Sequence, residues 1–376
     1  MVAMRRATVY DVAEKAGVST ATVSFTFRRP DKVKPSTRAK VLQAAKELDY
    51  VPSASARGLA RGRTGVLGLY SFDMLIERPL GDDGEFPMTF EDMGYAEGVS
   101  DIVPGENFDC PSVLSYPLYV DEVQRGFELE CRRRNRAVLL GNGMHKGAEA
   151  DSGIVDVAGR VDGLAVFPNE LTDELRLSSL CHSIPIVRLS EGSGEDPAAY
   201  ITCDNVSGVN QLIDHLVDVH GVHDIAFVGS LDNYDSRRRF AAMRERLKTR
   251  GLRIPDSPLD DSMSGTHERF VDLCGVIDAG RLPQVLLCAT DQTAFEVIGV
   301  LDDAGVRVPE DIIVTGFDGV LAGQMLTPTL TTVRQPLEMM GRLAARLLDE
   351  QSGEPWGEPE RFQLPVKLIV RGSCGC

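Results

Sequence analysis

The sequence predicts an α/β protein with a small three-helix head. A helix-turn-helix unit comes first, then a short connecting segment, then a large body of mostly parallel sheets in two halves. Three observations predict it. Residues 8–27 read as helix, glycine turn and helix. Charge is divided, with 13 Lys+Arg against 5 Asp+Glu in residues 1–63 and a net of −16 over the whole chain. From Val66 onward, short apolar runs alternate with amphipathic helices. A basic head on an acidic body is the asymmetry of a DNA-binding module joined to something that phosphate repels.

Composition sets the outer limits. At 376 residues and 43% hydrophobic, the chain can build two or three units with real cores, and disorder is excluded as its main state. No apolar run reaches the roughly 18 residues of a membrane-spanning helix, so no membrane partner is expected. The opening Met-Val-Ala-Met-Arg-Arg has no apolar stretch behind its charges, unlike a secretory signal. Eight scattered cysteines suit a reducing cytoplasm better than a disulfide framework.

In the head, Val9, Val12, Ala13 and Ala16 recur at helical spacing. Gly17 permits a tight turn, and Ser19 is a suitable N-cap for a second helix beginning at Thr20. Such a helix enters the major groove and points its first residues at base edges. Thr20, Ala21 and Ser24 are the exposed candidates, with Val23 facing inward. A third helix is expected over 36–48, capped by Ser36 and apolar at Val41, Leu42, Ala45 and Leu48. Arg28, Arg29, Lys32, Lys34, Arg38 and Lys40 surround the unit and suit phosphate contacts. The plainer alternative is a generic helical domain with a solvated basic face.

Beyond Pro52, Ser53 can cap a short helix over 54–60 in which Leu59 is the one large apolar residue. So short a segment is mostly unfolded alone. It reads either as a flexible linker or as a segment that folds on DNA, with Leu59 wedged into the minor groove and Arg57 and Arg61 on phosphates.

Tyr10-Asp-Val-Ala, Ala16-Gly-Val-Ser, Ala21-Thr-Val-Ser, Thr37-Arg and the stretch from Tyr50-Val-Pro to Leu59-Ala resemble the bacterial LacI/GalR transcriptional repressors. The resemblance implies a homodimer on a palindromic duplex DNA operator, with paired hinge helices inserting Leu59 at its centre. The DNA-contacting set it suggests is Thr8, Tyr10, Ser19, Thr20, Ala21, Thr22, Ser24, Phe25 and Arg28, with Ser53, Arg57 and Leu59 in the hinge. One departure is Phe25, where the family usually has Arg. A phenyl ring offers only apolar contact, for instance to a thymine methyl, whereas Arg could pair with guanine. The operator sequence therefore does not carry over.

In the body, apolar runs begin at Val66, Ala137, Gly163, Pro185, Asp224, Val285 and Ile312. Helical patterns fill 119–135, 206–219, 235–250, 292–304 and 337–350, the first with Val120, Val123, Phe127 and Cys131 on one face. Continuous apolar strands between amphipathic helices indicate parallel sheets covered on both faces. Ten or more elements exceed one small sheet, so two halves with a ligand cleft at the strand carboxyl ends are expected.

The resemblance continues through Val161-Asp-Gly-Leu, Asp204-Asn, Ile225-Ala-Phe-Val-Gly, Gly316-Phe-Asp, Leu330-Thr-Thr-Val-Arg-Gln-Pro and Val370-Arg-Gly-Ser. It implies a periplasmic-binding-protein-type body of two subdomains, with crossings near 190–204 and 331–335. The implied organisation is a DNA-binding domain over 1–51, a hinge over 52–63 and an effector-binding, dimerising domain over 64–376. Carried over by position, Arg239 and Asp318 are the effector-binding pair. Thr290 stands where the family often has Asn; Ser190 and Phe167 follow strands, and Phe72 or Phe167 would stack on a sugar face. A sugar effector is thus expected more than a purine. Each of these residues could instead be an ordinary strand-end or helix-start cap.

Residues 74–115 depart from the family pattern: 42 residues with ten acidic, one basic and four Pro. Phe86, Phe90, Tyr95 and Phe108 make the insertion too apolar for a pure spacer. It reads as a lid or partner-binding loop, or as a surface insertion.

No catalytic, cofactor or metal site is expected. There is no phosphate-binding Gly-x-x-x-x-Gly-Lys-Ser/Thr loop and no Gly-x-Ser-x-Gly elbow. His220 and His223 flank a turn, and Cys374-Gly-Cys376 has no second Cys/His pair near it in sequence, so both thiols read as ordinary. The expected function is an effector-controlled DNA-binding transcriptional regulator, and not an enzyme. The rival reading is a sugar-binding receptor or enzyme-like protein whose N-terminal helices only tether it to a partner.

Overall fold

A computed structural model describes residues 7–28, 32–48, 50, 63–72, 118–143, 150–167, 174–192, 194–261 and 270–376. The chain divides into two compact units, Met1–Gly65 and Val66–Cys376. The connecting segment with Ser53, Arg57 and Leu59, and the insertion 74–115, lie outside the described residues.

Among the described residues, three helices form the first unit: α1 Val9–Ala16, α2 Thr20–Arg28 and α3 Pro35–Glu47. Thr8 caps α1 through a reciprocal pair, its Oγ1 accepting from the Asp11 amide while its own amide donates to Asp11 Oδ2 at 2.6 Å. Gly17 closes α1 at φ 63, a left-handed conformation that glycine adopts without Cβ strain. Ser19 then caps α2, its Oγ accepting from the Thr22 amide at 3.2 Å. Val12, Val23 and Val41 meet fully buried at the centre with Ala13, Ala44 and Ala45. Two details of α3 differ from expectation. The helix begins at Pro35, not under a Ser36 cap, because proline's fixed φ and missing N–H suit a first-turn position. Leu42 lies on the exposed face.

The second unit has two sheets. The first runs in the order β10-β5-β4-β3-β1-β2, all parallel, from β1 Val66–Phe72, β2 Ala137–Gly143, β3 Leu164–Phe167, β4 Ile186–Leu189, β5 Ala199–Cys203 and β10 Glu360–Leu364. The second runs β11-β9-β8-β7-β6, from β6 Ile225–Val228, β7 Val285–Cys288, β8 Ile313–Asp318, β9 Thr331–Arg334 and β11 Lys367–Ile369. Only β11 is antiparallel there.

Strand alternation supplies a core on each face. In β3, Ala165 and Phe167 pack under α4 Leu118–Arg133 and α11 Leu337–Gln351, while Leu164 and Val166 pack under α5 Ala150–Ala158 and α6 Glu174–Cys181. In β7, Val285 and Leu287 face α7 Asn205–His220 and α8 Tyr234–Thr249. Leu286 and Cys288 face α9 Val271–Asp278 and α10 Asp291–Asp303. Helices α4 and α11 approach closely at Gly126 and Gly341: a Cβ on Gly341 would overlap the Val123 carbonyl oxygen, and one on Gly126 the Glu338 carbonyl oxygen.

The chain passes between the subdomains three times. It leaves β5 for α7 at 203–205, returns from β9 to α11 at 334–337, and crosses again from β10 to β11 at 364–367. The third crossing leaves no mark in the hydrophobic pattern, because β10 and β11 are short edge strands with half-exposed faces and no apolar run.

Candidate functional site

In the first unit, the two helices present a mixed polar and aromatic face. Tyr10 is 73% exposed and Phe25 46%. Ala21 and Ser19 are exposed, and Thr8, Thr20, Thr22 and Ser24 are half-buried, while Val23 holds the helix down from the opposite side. The Ser19 and Thr22 hydroxyls are 2.9 Å apart, and Thr26 is turned inward, donating to the Thr22 carbonyl at 3.0 Å. Arg28 is the last residue of α2, and its side chain lies outside the described residues. Lys32, Lys34, Arg38 and Lys40 are exposed around this face, a distribution that suits phosphate contacts on either side of a groove-reading helix.

In the second unit, the carboxyl ends of strands from both sheets converge on a cleft of about 450 Å³. Ser190 follows β4, Asn233 and Tyr234 follow β6, Thr290 follows β7, Asp318 ends β8 and Gln335 follows β9. Arg239 reaches in from α8. Nearly fully buried, it donates from Nε to Asn205 Oδ1 at 2.9 Å and from Nη1 to the Ala289 carbonyl at 2.7 Å. Its guanidinium lies 3.8 Å from the Phe317 ring centre, 3.5 Å from Asp318 Oδ1 and 3.9 Å from Asp235 Oδ2. Asn205 also donates to Asp235 Oδ1 at 2.7 Å, so it fixes both partners of the pair.

Burial pushes the Asp318 carboxyl well above the usual range; Arg239 and the amide of Gln335, donating at 2.7 Å, oppose that rise. Burial also works against the charge on Arg239, but Asp318 and Asp235 outweigh it and keep the guanidinium protonated. Tyr119, beside Ser190, is pushed upward by burial and is a neutral phenol. Two lining residues hold left-handed backbones, Ser190 at φ 57 and Asp318 at φ 132. Strain of this kind concentrates at ligand sites, where the surrounding structure imposes it.

The cleft is acid-rich. Glu174, Glu191, Asp232, Asp235 and Asp318 line it against Arg237 and Arg239. Behind Glu174 and Glu191 lies buried Arg188, which bonds Glu174 at 2.7 Å and Glu191 at 2.5 Å and so neutralises part of their charge.

Arg239, Asp318, Thr290 and Ser190 therefore come together at one cleft. Phe167 does not join them. It is 1% exposed, packed in the first core with its ring edge-on to Tyr119 at 5.9 Å, because its inward alternation on β3 points it beneath α4. Tyr119 and Tyr234 supply the aromatic groups instead. Phe72 ends β1, and its side chain lies outside the described residues. Thr290 is structural as well, since its hydroxyl caps α10 by accepting from the Thr293 amide at 3.1 Å. The lining residues that sequence reasoning missed are Tyr119, Glu174, Glu191, Asp232, Asn233, Tyr234, Asp235, Arg237 and Gln335. Position offered a signal for two of them: Asn233 is an N-cap after a strand, and Gln335 falls within the family-like Thr-Thr-Val-Arg-Gln-Pro stretch.

Residues 8–53 match the family described as bacterial regulatory proteins, lacI family, and residues 213–374 match the periplasmic-binding-protein-like domain. The chain thus carries a lacI-family DNA-binding domain and, after it, a periplasmic-binding-protein-like domain. Among curated relatives, the ribose operon repressor of Escherichia coli (strain K12) is 28% identical, aligned over 98% of this chain and 99% of the relative. The HTH-type transcriptional repressor PurR of Pasteurella multocida is 27% identical over 98% of each chain. Catabolite control protein A of Priestia megaterium is 28% identical over 97% of this chain and 98% of its own. Among solved structures, the lac repressor dimer bound to operator and the anti-inducer ONPF superposes with a TM-score of 0.73 at 24% identity, over 98% of this chain and 99% of that one. The transcriptional regulator CelR in complex with cellobiose gives 0.63 at 25% identity, over 98% and 100%. Helix-turn-helix head and two-sheet body are thus the fold of the lac repressor, and the ribose operon and PurR relatives are repressors by name. No helix among the described residues is long and apolar enough to cross a membrane.

One expectation about the thiols needs correction. Cys374 and Cys376 do have a histidine pair beside them: His215 and His220, both on α7, bring their ring nitrogens within 4.8 Å of the sulfurs. The missed partner was His215, separated from Cys374 by 159 positions in sequence. His223, paired with His220 on spacing, is not in this group.

Proposed function

We propose that this chain is a transcriptional repressor whose hold on a palindromic operator is set by a small neutral polyhydroxy effector, a sugar, bound in the cleft. The observation that carries the reading is the Arg239–Asp318–Asp235 network at the mouths of two sheets, inside a lining richer in carboxylates than in guanidinia. Fixed carboxylate acceptors and a buried guanidinium fork suit hydroxyl groups that both donate and accept. A phosphate or carboxylate ligand would meet a lining in which Glu174, Glu191, Asp232 and Asp235 outnumber Arg237 and Arg239, and like-charge contacts in a partly desolvated cleft are costly. The sugar complex of CelR and the ribose operon relative lean the same way.

A homodimer brings two heads to two half-sites, as helix-turn-helix dimers do. Effector binding changes the relation of the two subdomains across the three crossings, and the coupling is the difference in effector affinity between DNA-competent and released states. The test is a thermal-shift screen of the full chain against neutral mono- and disaccharides, sugar phosphates and nucleobases. A ligand at a hundred times its Kd adds about 2.7 kcal/mol. A neutral sugar hit, lost in Asp318→Asn, is expected. Stabilisation by sugar phosphates alone would refute the electrostatic argument. Fluorescence anisotropy of operator-like DNA with and without the hit then gives the sign of control.

A further inference from the structure

Helix α7 carries His215 and His220 near its carboxyl end, where Gly221 turns the chain at φ 66. The two rings meet edge-on with centroids 5.1 Å apart. Against them lies the segment 372–376. A short 3-10 turn over Gly372–Cys374 sets the Cys374 sulfur inward, and Gly375 at φ 88 folds Cys376 back to the same side. That segment is pinned to the second sheet: Ser373 Oγ donates to the Val314 carbonyl at 2.6 Å and accepts from the Thr331 amide at 2.9 Å. Four ligand-type side chains from two distant stretches of sequence thus meet on a rigid support.

Four of their six separations match those around a metal ion. Tetrahedral zinc, with bonds of about 2.05 Å to imidazole nitrogen and about 2.3 Å to thiolate, sets its nitrogens about 3.3 Å apart and each nitrogen about 3.6 Å from each sulfur. The two Nε2 atoms here are 3.3 Å apart. His215 Nε2 lies 3.6 Å from the Cys374 sulfur and 3.7 Å from that of Cys376, and His220 Nε2 lies 3.4 Å from Cys376. All four ligand atoms fall within 4.8 Å of one another. Thr331 Oγ1, 3.2 Å from the Cys374 sulfur, is placed to donate to it, the kind of outer contact that orients a ligand thiolate.

We propose that His215, His220, Cys374 and Cys376 form a tetrahedral zinc site that clasps the 372–376 segment to the end of α7. Two thiolates and two imidazoles select zinc over hard cations, and four protein ligands leave no open position, so the site is structural. On binding, the ion displaces the two thiol protons to solvent, and its two positive charges are balanced by the two thiolates. The site is separate from the effector cleft. Asn205, which supports Arg239, stands at the other end of α7, roughly 15–22 Å along the helix at 1.5 Å per residue.

The experiment uses the full, untagged, reduced chain stripped of metal and titrated with Zn2+ against a chromophoric chelator at neutral pH. One Zn2+ per chain is expected, with two protons released per ion and a raised Tm. Cobalt in its place should give the absorption of a tetrahedral thiolate complex. Cys376→Ser and His220→Gln, both at positions not fully buried, should each weaken binding by about 100-fold or more and abolish the metal-dependent rise in Tm. Substoichiometric uptake by the reduced wild type would overturn the proposal. So would equal affinity in a variant carrying both Cys376→Ser and His220→Gln, which would place the metal on other thiols and histidines.

Discussion

Arg239 is the residue at which stability and effector recognition can be tested together. Replacing it with Met keeps much of the stem's volume but removes two hydrogen bonds and the cation facing Asp318 and Asp235. Both carboxylates stay buried, at 3% and 7% exposure. Breaking a buried ion pair from one side costs about 3–5 kcal/mol, because the other charge is left uncompensated. Loss of the guanidinium over Phe317 adds to this. Arg239→Met should therefore lose about 3–5 kcal/mol in urea denaturation of the full chain, followed by circular dichroism. Adding Asp318→Asn should recover part of that, with a coupling energy above about 1 kcal/mol in the double-mutant cycle. The penalty also has a pH sign. Without Arg239, the Asp318 carboxyl rises further above its unfolded value, so the native variant holds a proton that the unfolded chain releases. Its stability is then greatest at low pH and is lost as pH rises through the folded value. Arg239→Lys, which keeps charge without the planar fork, should cost less stability and still weaken the effector. A loss under about 1 kcal/mol for Arg239→Met, or strict additivity with Asp318→Asn, would refute the argument that this pair is held together against burial.

Other outcomes follow from the same geometry. Gly341→Ala should destabilise the first subdomain by about 1–3 kcal/mol, since the added Cβ meets the Val123 carbonyl oxygen and comes 2.6 Å from the Phe127 nitrogen; an unchanged urea midpoint would mean that α4 can move aside freely. Glu130 is held down to about 2 by its hydrogen bond from Arg133, with Arg134 adding to it against burial. The stability it contributes is present above the unfolded carboxylate pKa and lost as pH falls toward about 2. Because Arg133 is 62% exposed, that share is about 1–2 kcal/mol after screening. Glu130→Gln should flatten the fall of Tm between pH 5 and pH 2, about the window its shift spans, and a parallel curve would sink the assignment. For the head, log K for duplex DNA should fall with log salt at about 0.9 per phosphate contact, and Lys34→Ala or Arg38→Ala should each reduce the slope by about one contact's worth. A salt-independent affinity would count against phosphate binding by this face.

Local pattern reached far into this protein, for a plain reason. A helix whose apolar residues recur every three or four positions, or a strand apolar throughout, carries its burial in its own residues. Val12 and Val23 in the head, and Val120, Val123, Phe127 and Cys131 on α4, are buried as their spacing requires. Strands β1–β4 and β6–β8 and helices α4, α7, α8, α10 and α11 followed from the same signal, and Ser19 and Gly17 announced their turn. What pattern could not supply were facts about pairs of residues far apart. Whether Phe167 points into the cleft or under α4 depends on which face of β3 the helices cover. Asn205 and Asp235 matter because the first crossing sets α7 beside α8. Strands β10 and β11 carry too little apolar area to be seen alone, and they exist because a sheet edge was there to pair with. Most plainly, Cys374 and Cys376 gain a chemical meaning only when α7 brings His215 and His220 against them. Spacing along a chain encodes which face is greasy; which distant side chains share that space is set by packing, and ligand chemistry needs several atoms within a few ångströms at once.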